Sequence, residues 1–121
     1  MKLLLVRHAA AVPRGTPGVP DDERPLTPKG RAKFSAAAKG LARIAHRPDV
    51  LLTSPLPRAR ATAEIAARAF KRIEPAIEPA LARENLDAIV AALAAHPPGA
   101  TVALVGHEPM LSALLARLLG A

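Results

Sequence analysis

"KLLLVRHAAA", residues 2–11, decides how this chain folds: four apolar residues run straight into an arginine beside a histidine. A short apolar run bounded by polar residues reads as a buried strand over 2–7. Its end then delivers Arg7 and His8 either to bulk water or to the floor of a site. The choice depends on what else in the chain arrives at the same place.

Working outward, the same alternation recurs. Residues 8–26 form a long loop with four prolines and two glycines, and a loop of that length in a compact domain is usually functional. Thr27 has the chemistry of an N-cap with Pro28 at the first helical position. The helix runs to about residue 45, with Phe34, Ala38, Leu41 and Ala45 at helical spacing. "DVLLTS" (49–54) is a second strand, and residues 55–70 a second helix opened by Ser54 or Pro55. A third strand over 73–78 contains Pro75, which confines it to an edge. Asn85 caps a third helix to about residue 95, "TVALVG" (101–106) is a fourth strand, and residues 109–119 form the last helix. Strand and helix alternate four times, which predicts an α/β fold: a three-layer α/β/α sandwich around a mostly parallel sheet with right-handed crossovers.

Composition sets the frame for that fold. The chain has 121 residues, enough for a single domain over 1–121. Half of the residues are apolar, 28 are alanine, and Phe34 and Phe70 are the only aromatics. Small side chains therefore dominate the core and elements pack closely. Without cysteine, disulfides and thiolate metal sites are excluded. The apolar start is only four residues long before Arg7, too short for a signal peptide. No apolar run approaches the roughly 20 residues of a membrane span, so a cytoplasmic location is expected. The net charge of +7 favours anionic partners: phosphorylated groups, nucleic acid or an acidic protein.

Ligands of open parallel sheets bind beyond the carboxyl ends of the strands. Arg7 and His8 end the first strand, Ser54 the second, and His107 the fourth. Arg58 lies in the first turn of the helix after Ser54. Two guanidinium groups and two imidazoles make a poor metal site and a good phosphate site, because the planar fork of arginine matches phosphate oxygens. Helix N-termini add N–H donors. A neutral imidazole is a competent nucleophile, and nearby arginines depress its pKa and keep it neutral. The rim thus suggests phosphoryl transfer through a phosphohistidine intermediate, with no metal and no cofactor.

Three segments taken together, "LVRHAAA" (5–11), "SPLPRARATA" (54–63) and "LVGHEPML" (104–111), resemble the histidine phosphatase superfamily, whose fold is phosphoglycerate mutase-like. Its small SixA-type phosphohistidine phosphatase branch also shares "RPLTPKG" (24–30). The resemblance covers nearly the whole chain. It implies His8 as nucleophile, Arg7 and Arg58 clamping the phosphoryl oxygens, His107 binding an equatorial oxygen, and Arg24 as a further substrate contact. The implied substrate is a phosphohistidine, on a phosphorelay protein.

The chain departs from the family pattern at three points. Ala9 stands where many relatives carry glycine. Ala80 aligns with the glutamate that serves phosphate-ester enzymes as general acid, leaving Glu78 or Glu84 as substitutes. An alkoxide needs a proton donor to leave, whereas an imidazole is easier to expel, so the missing acid favours an N–P substrate. Relatives also run on for some tens of residues with strands that flank the sheet. This predicts a minimal or truncated version here, or a sheet edge left open or paired with another molecule.

Two alternatives stand beside this reading: a small-molecule phosphomonoesterase of the same superfamily, and a non-catalytic domain binding phosphate or an anionic partner. Nucleic acid is disfavoured, since no helix–turn–helix, zinc or RNP pattern is present and stacking aromatics are nearly absent. His46 and His96 read as structural residues at helix C-termini. The acidic run Asp21-Asp22-Glu23 reads as a solvated loop without accompanying metal ligands. Arg60, Arg68, Lys71 and Arg72 read as a solvated helix surface, or as a docking face for an acidic partner.

Overall fold

A computed structural model describes residues 1–83 and 85–120. Four strands, β1 (Lys2–Arg7), β2 (Val50–Thr53), β3 (Pro75–Ile77) and β4 (Thr101–Gly106), alternate with four helices. The helices are α1 (Pro28–Ile44), α2 (Pro57–Phe70), α3 (Leu86–Ala94) and α4 (Met110–Leu118). The sheet has the order β1-β4-β2-β3, and every pairing is parallel. The expected third strand is short and lies at an edge, paired only with β2.

Side chains of a strand point alternately to its two faces, and both faces here are apolar. Leu4, Val6, Leu51, Ala103 and Val105 pack with Ala59, Ala63 and Ala67 of α2. Leu3, Leu5, Val50, Leu52, Val102 and Leu104 pack with Ile89 and Leu93 of α3 and Met110 and Leu114 of α4. The alanine stripe on α2 lets that helix lie close to the sheet. On its outer side α1 is packed through Ala38 and Phe34 with Ile65, Ala61 and Ala69. The three layers predicted from sequence follow from these contacts.

Side-chain caps set the starts of α1 and α3. The Thr27 hydroxyl accepts from Gly30 N at 2.9 Å, and Asn85 Oδ1 from Ala88 N at 3.1 Å. Gly30 has a second role: a Cβ there would lie 2.3 Å from the Ala10 carbonyl oxygen. The first turn of α1 therefore rests directly on the loop that follows His8, where Thr27 N also donates to Ala10 O at 3.0 Å. The expected start of α2 at Ser54 or Pro55 is corrected. That helix begins at Pro57 with Leu56 at the N-cap position and no side-chain cap. Two prolines in "SPLP" delay the helix, which frees the Ser54 side chain for a tertiary contact.

Register then decides the site. Arg7 pairs with Gly106, and Val105 pairs with both Val6 and Thr53. The residues that follow, His8, His107 and Ser54, therefore leave three adjacent strands at one level.

Candidate active site

His8 is fixed on three sides. Its backbone N–H donates to Gly106 O at 3.0 Å, and its ring Nδ1 lies 2.8 Å from Ala9 O. A carbonyl only accepts, so Nδ1 carries the proton and Nε2 keeps the free lone pair. The next amide, Ala9 N, donates to Thr62 Oγ1 at 2.9 Å, and that hydroxyl donates to Arg58 O at 2.7 Å. The spacing R-A-x-x-T thus has a physical reason: four residues apart on α2, Arg58 and Thr62 share one face.

The ring of His107 lies beside that of His8, centroids 5.1 Å apart and tilted by 56°. This is near the ~4.8 Å spacing of adjacent strands. His107 Nε2 is 2.7 Å from Ser54 Oγ, and Ser54 Oγ also accepts from Leu56 N at 3.2 Å. His107 Nδ1 is buried without a hydrogen-bond partner among the described residues, as is Arg58 Nε. Buried polar atoms are almost always satisfied, so these two nitrogens are exceptions within the site.

The long loop closes the cavity over these groups. Arg58 Nη1 donates to Asp21 O at 2.9 Å. Arg24 donates through Nη1 to Val12 O and through Nε to Asp21 Oδ1, both at 2.9 Å. Arg14 Nε reaches the same carboxylate oxygen at 3.0 Å. The cavity measures about 480 Å³. All five residues singled out in the sequence, Arg7, His8, Arg24, Arg58 and His107, line it, together with Arg14 and Glu108.

Charge and burial act together on the imidazoles. Burial lowers the His8 pKa below its ordinary 6.5; the Ala9 carbonyl opposes this, and Arg58, Arg7 and Arg24 add to it. His107 is pushed down to about 4, by burial first and then by His8, Arg58 and Arg24. Both rings are neutral at pH 7. A neutral His8 with an unprotonated Nε2, faced by guanidinium groups, can attack a tetrahedral oxyanion centre and match its charge.

Several expectations need correction. Glu78 does not line the cavity: its carboxylate accepts from Ala80 N at 3.0 Å and caps the 3₁₀ turn Pro79–Ala82. Glu84, the other candidate acid, lies outside the described residues. Asp21 is more than a solvated loop residue, because its carboxylate holds two arginines and its carbonyl a third. Sequence reasoning passed over Arg14 and Glu108 as site residues. Glu108 had a signal, its position next to His107; Arg14 had none, since only the folding of the loop brings it in. Arg60, Arg68, Lys71, Arg72, His46 and His96 do not line this cavity.

An all-parallel sheet thus brings two imidazoles and several arginines to one rim of an α/β fold, with His8 as a candidate nucleophile. The profile of the histidine phosphatase superfamily (branch 1) matches residues 3–84, and the chain belongs to that superfamily, in its SixA-type branch. A structure from Agrobacterium tumefaciens assigned as phosphohistidine phosphatase SixA superposes with a TM-score of 0.86 at 31% identity, covering 98% of this chain and 76% of that one. The protein histidine phosphatase SixA in complex with tungstate gives 0.84 at 25% identity, with the same coverage. An uncharacterized protein of Picosynechococcus sp. is 40% identical over 114 residues, which is 92% of this chain and 68% of that protein. The fold is phosphoglycerate mutase-like. No helix among the described residues is long and apolar enough to cross a membrane.

Proposed function

We propose that this chain is a metal-independent phosphatase that removes the phosphoryl group from phosphohistidine on a cytoplasmic phosphorelay protein. His8 Nε2 donates its lone pair to phosphorus while the P–N bond breaks, and that electron pair stays with the departing imidazole. Water then attacks phospho-His8, releases inorganic phosphate, gives up a proton to solvent and restores neutral His8. Arg7, Arg24 and Arg58 match the charge on the equatorial oxygens. His107, neutral and anchored at Nε2 by Ser54, stands beside His8 in the same cavity.

One observation carries the reading: the Nδ1 contact with Ala9 O, which leaves the opposite nitrogen of a pKa-depressed imidazole unprotonated in a cavity rich in arginine. The likeness to SixA structures, one of them holding the oxyanion tungstate, supports the substrate class. The buried Ala80 in place of a general acid and the commitment of Glu78 to a backbone N–H favour an N–P bond over an ester.

The test is trapping. The protein is mixed with ³²P-labelled phosphoimidazole, quenched in alkali and mapped by mass spectrometry. A base-stable, acid-labile phosphate on His8 is expected, and none in His8→Ala. Turnover without phospho-His8, or label on another residue, overturns the mechanism.

A further inference from the structure

The cavity holds one group that the proposed phosphoryl chemistry does not use. Glu108 is the only carboxylate among the described residues that line it, in company with Arg7, Arg14, Arg24 and Arg58. It is not there to neutralise them. Among the described residues Arg14 and Arg24 pair with the Asp21 carboxylate, Arg58 donates to the Asp21 carbonyl, and Glu108 forms no ion pair. One of its oxygens instead accepts from the Ser112 hydroxyl, one turn into α4, which orients the carboxylate and leaves lone pairs of both oxygens unused.

Depth places Glu108 relative to the reaction. Arg58 is 6% exposed, His8 and His107 are half-buried, and Glu108 is exposed at the mouth. In an in-line displacement the leaving atom departs on the side opposite the nucleophile. With His8 as nucleophile on the cavity floor, the leaving group lies toward the mouth. An anion placed there repels the phosphoryl oxygens, so its benefit must come from a leaving group that is cationic or presents a hydrogen-bond donor.

We infer that Glu108 is a catalytic residue that accepts a hydrogen bond from the distal ring N–H of a phosphoimidazole, and so selects the substrate in its protonated form. The inference rests on the phosphohistidine phosphatase reading above. In that form one ring nitrogen carries phosphorus and the other a proton, and the ring is positively charged. When His8 attacks, the P–N electron pair returns to the ring, which departs as neutral imidazole with its proton still on the distal nitrogen. No acid has to deliver a proton, which accounts for a working site with Ala80 at the acid position. An alkoxide gains nothing from a carboxylate acceptor, so Glu108 also discriminates against phosphate esters.

Wild type, Glu108→Ala, Glu108→Gln and Ser112→Ala are compared on phosphoimidazole and on p-nitrophenyl phosphate across the neutral pH range. The ratio of kcat/KM for phosphoimidazole to that for the ester should fall about tenfold or more in Glu108→Ala, the loss of one charge-assisted hydrogen bond. It should fall less in Glu108→Gln and least in Ser112→Ala. Wild type should hold its phosphoimidazole activity to higher pH than Glu108→Ala, because the carboxylate favours the protonated substrate. An unchanged ratio, or an equal loss on both substrates, overturns the role of Glu108 while phospho-His8 trapping still reports on the enzyme. Failure of wild type to turn over phosphoimidazole overturns the underlying reading and this inference with it.

Discussion

On the α2 side of the cavity, Ser54 and Thr62 are fully buried; Ser54 bonds to Leu56 N and the His107 ring, and Thr62 to the backbone of Ala9 and Arg58. On the loop side, the side chains of Arg14 and Asp21 are 78% and 43% exposed. One wall is carved into the core by regular elements whose register is set by the sheet. The other is an irregular segment tied at its base by the Ala11–Leu26 bridge and farther out by the site's own arginines, through Asp21 O, Val12 O and the Asp21 carboxylate. The comparison teaches that the cations have two duties. In the proposed function Arg58 and Arg24 match the charge of the oxyanion, and in the structure they fasten the loop beside the same cavity.

The largest effect is expected where the two walls meet. Arg58→Ala removes a buried phosphoryl contact and the anchor of Asp21 O together. It should lower kcat/KM by roughly 10²–10³, or about 3–4 kcal/mol of transition-state stabilisation. Limited proteolysis should then cut within residues 13–23. A loop that stays resistant in this variant breaks the idea that the arginines hold it.

Acid comes next, and it acts on the carved wall. Below the His8 pKa, which lies under 6.5, kcat/KM should fall about tenfold per pH unit as the nucleophile is protonated. Stability follows the same direction for His107. Its folded pKa, about 4, lies below its ordinary 6.5, so the unfolded chain binds the proton first. The stability contributed by the neutral ring is complete above pH 6.5 and is lost as pH falls toward 4. Urea midpoints measured across this window should decline in wild type and decline less steeply in His107→Asn, where His8 still contributes in the same direction.

Ser54→Ala sharpens the comparison from the buried side. It strips His107 Nε2 and Leu56 N of a shared partner, which should cost about 1–3 kcal/mol of stability by denaturant titration. A fall in kcat of about tenfold should accompany it, the scale of one misplaced catalytic donor. Asp21→Ala probes the exposed side and should do least. With Arg58 still bound to the backbone carbonyl, KM should rise about two- to fivefold through looser Arg24 and Arg14, with kcat and the urea midpoint unchanged, as exposed ion pairs are weak. A larger stability loss in Asp21→Ala than in Ser54→Ala would reverse the assignment of the two walls.

Most elements were legible before the structure, because each carries a local cause. The caps at Thr27 and Asn85, the edge strand with Pro75 and the apolar runs of β1 and β4 lie within a few residues of where the sequence puts them. The start of α2 was misjudged because Ser54 has the chemistry of a cap and spends it elsewhere, on His107, 53 residues away. Of the five predicted residues that line the cavity, Arg7, His8, Arg58 and His107 were legible from strand ends and side-chain chemistry, and Arg24 only from the family resemblance of "RPLTPKG". Arg14 and Asp21 were not, since an arginine or a carboxylate in a polar stretch looks the same whether it faces solvent or a cavity, and Glu108 had only its place next to His107 to mark it.

By itself, then, the sequence determined the alternation of strands and helices, the positions of the caps and the presence of His8, Ser54 and His107 just past strand ends. These depend on periodicity and on side-chain chemistry within a few residues. The tertiary structure alone decided the order β1-β4-β2, the level at which those three residues meet, the burial that lowers the pKa of both imidazoles ahead of the arginines, and the closure of the loop by Arg24 and Arg58. Each of those depends on groups distant along the chain, whose meeting is set by register, crossover and burial rather than by any local preference.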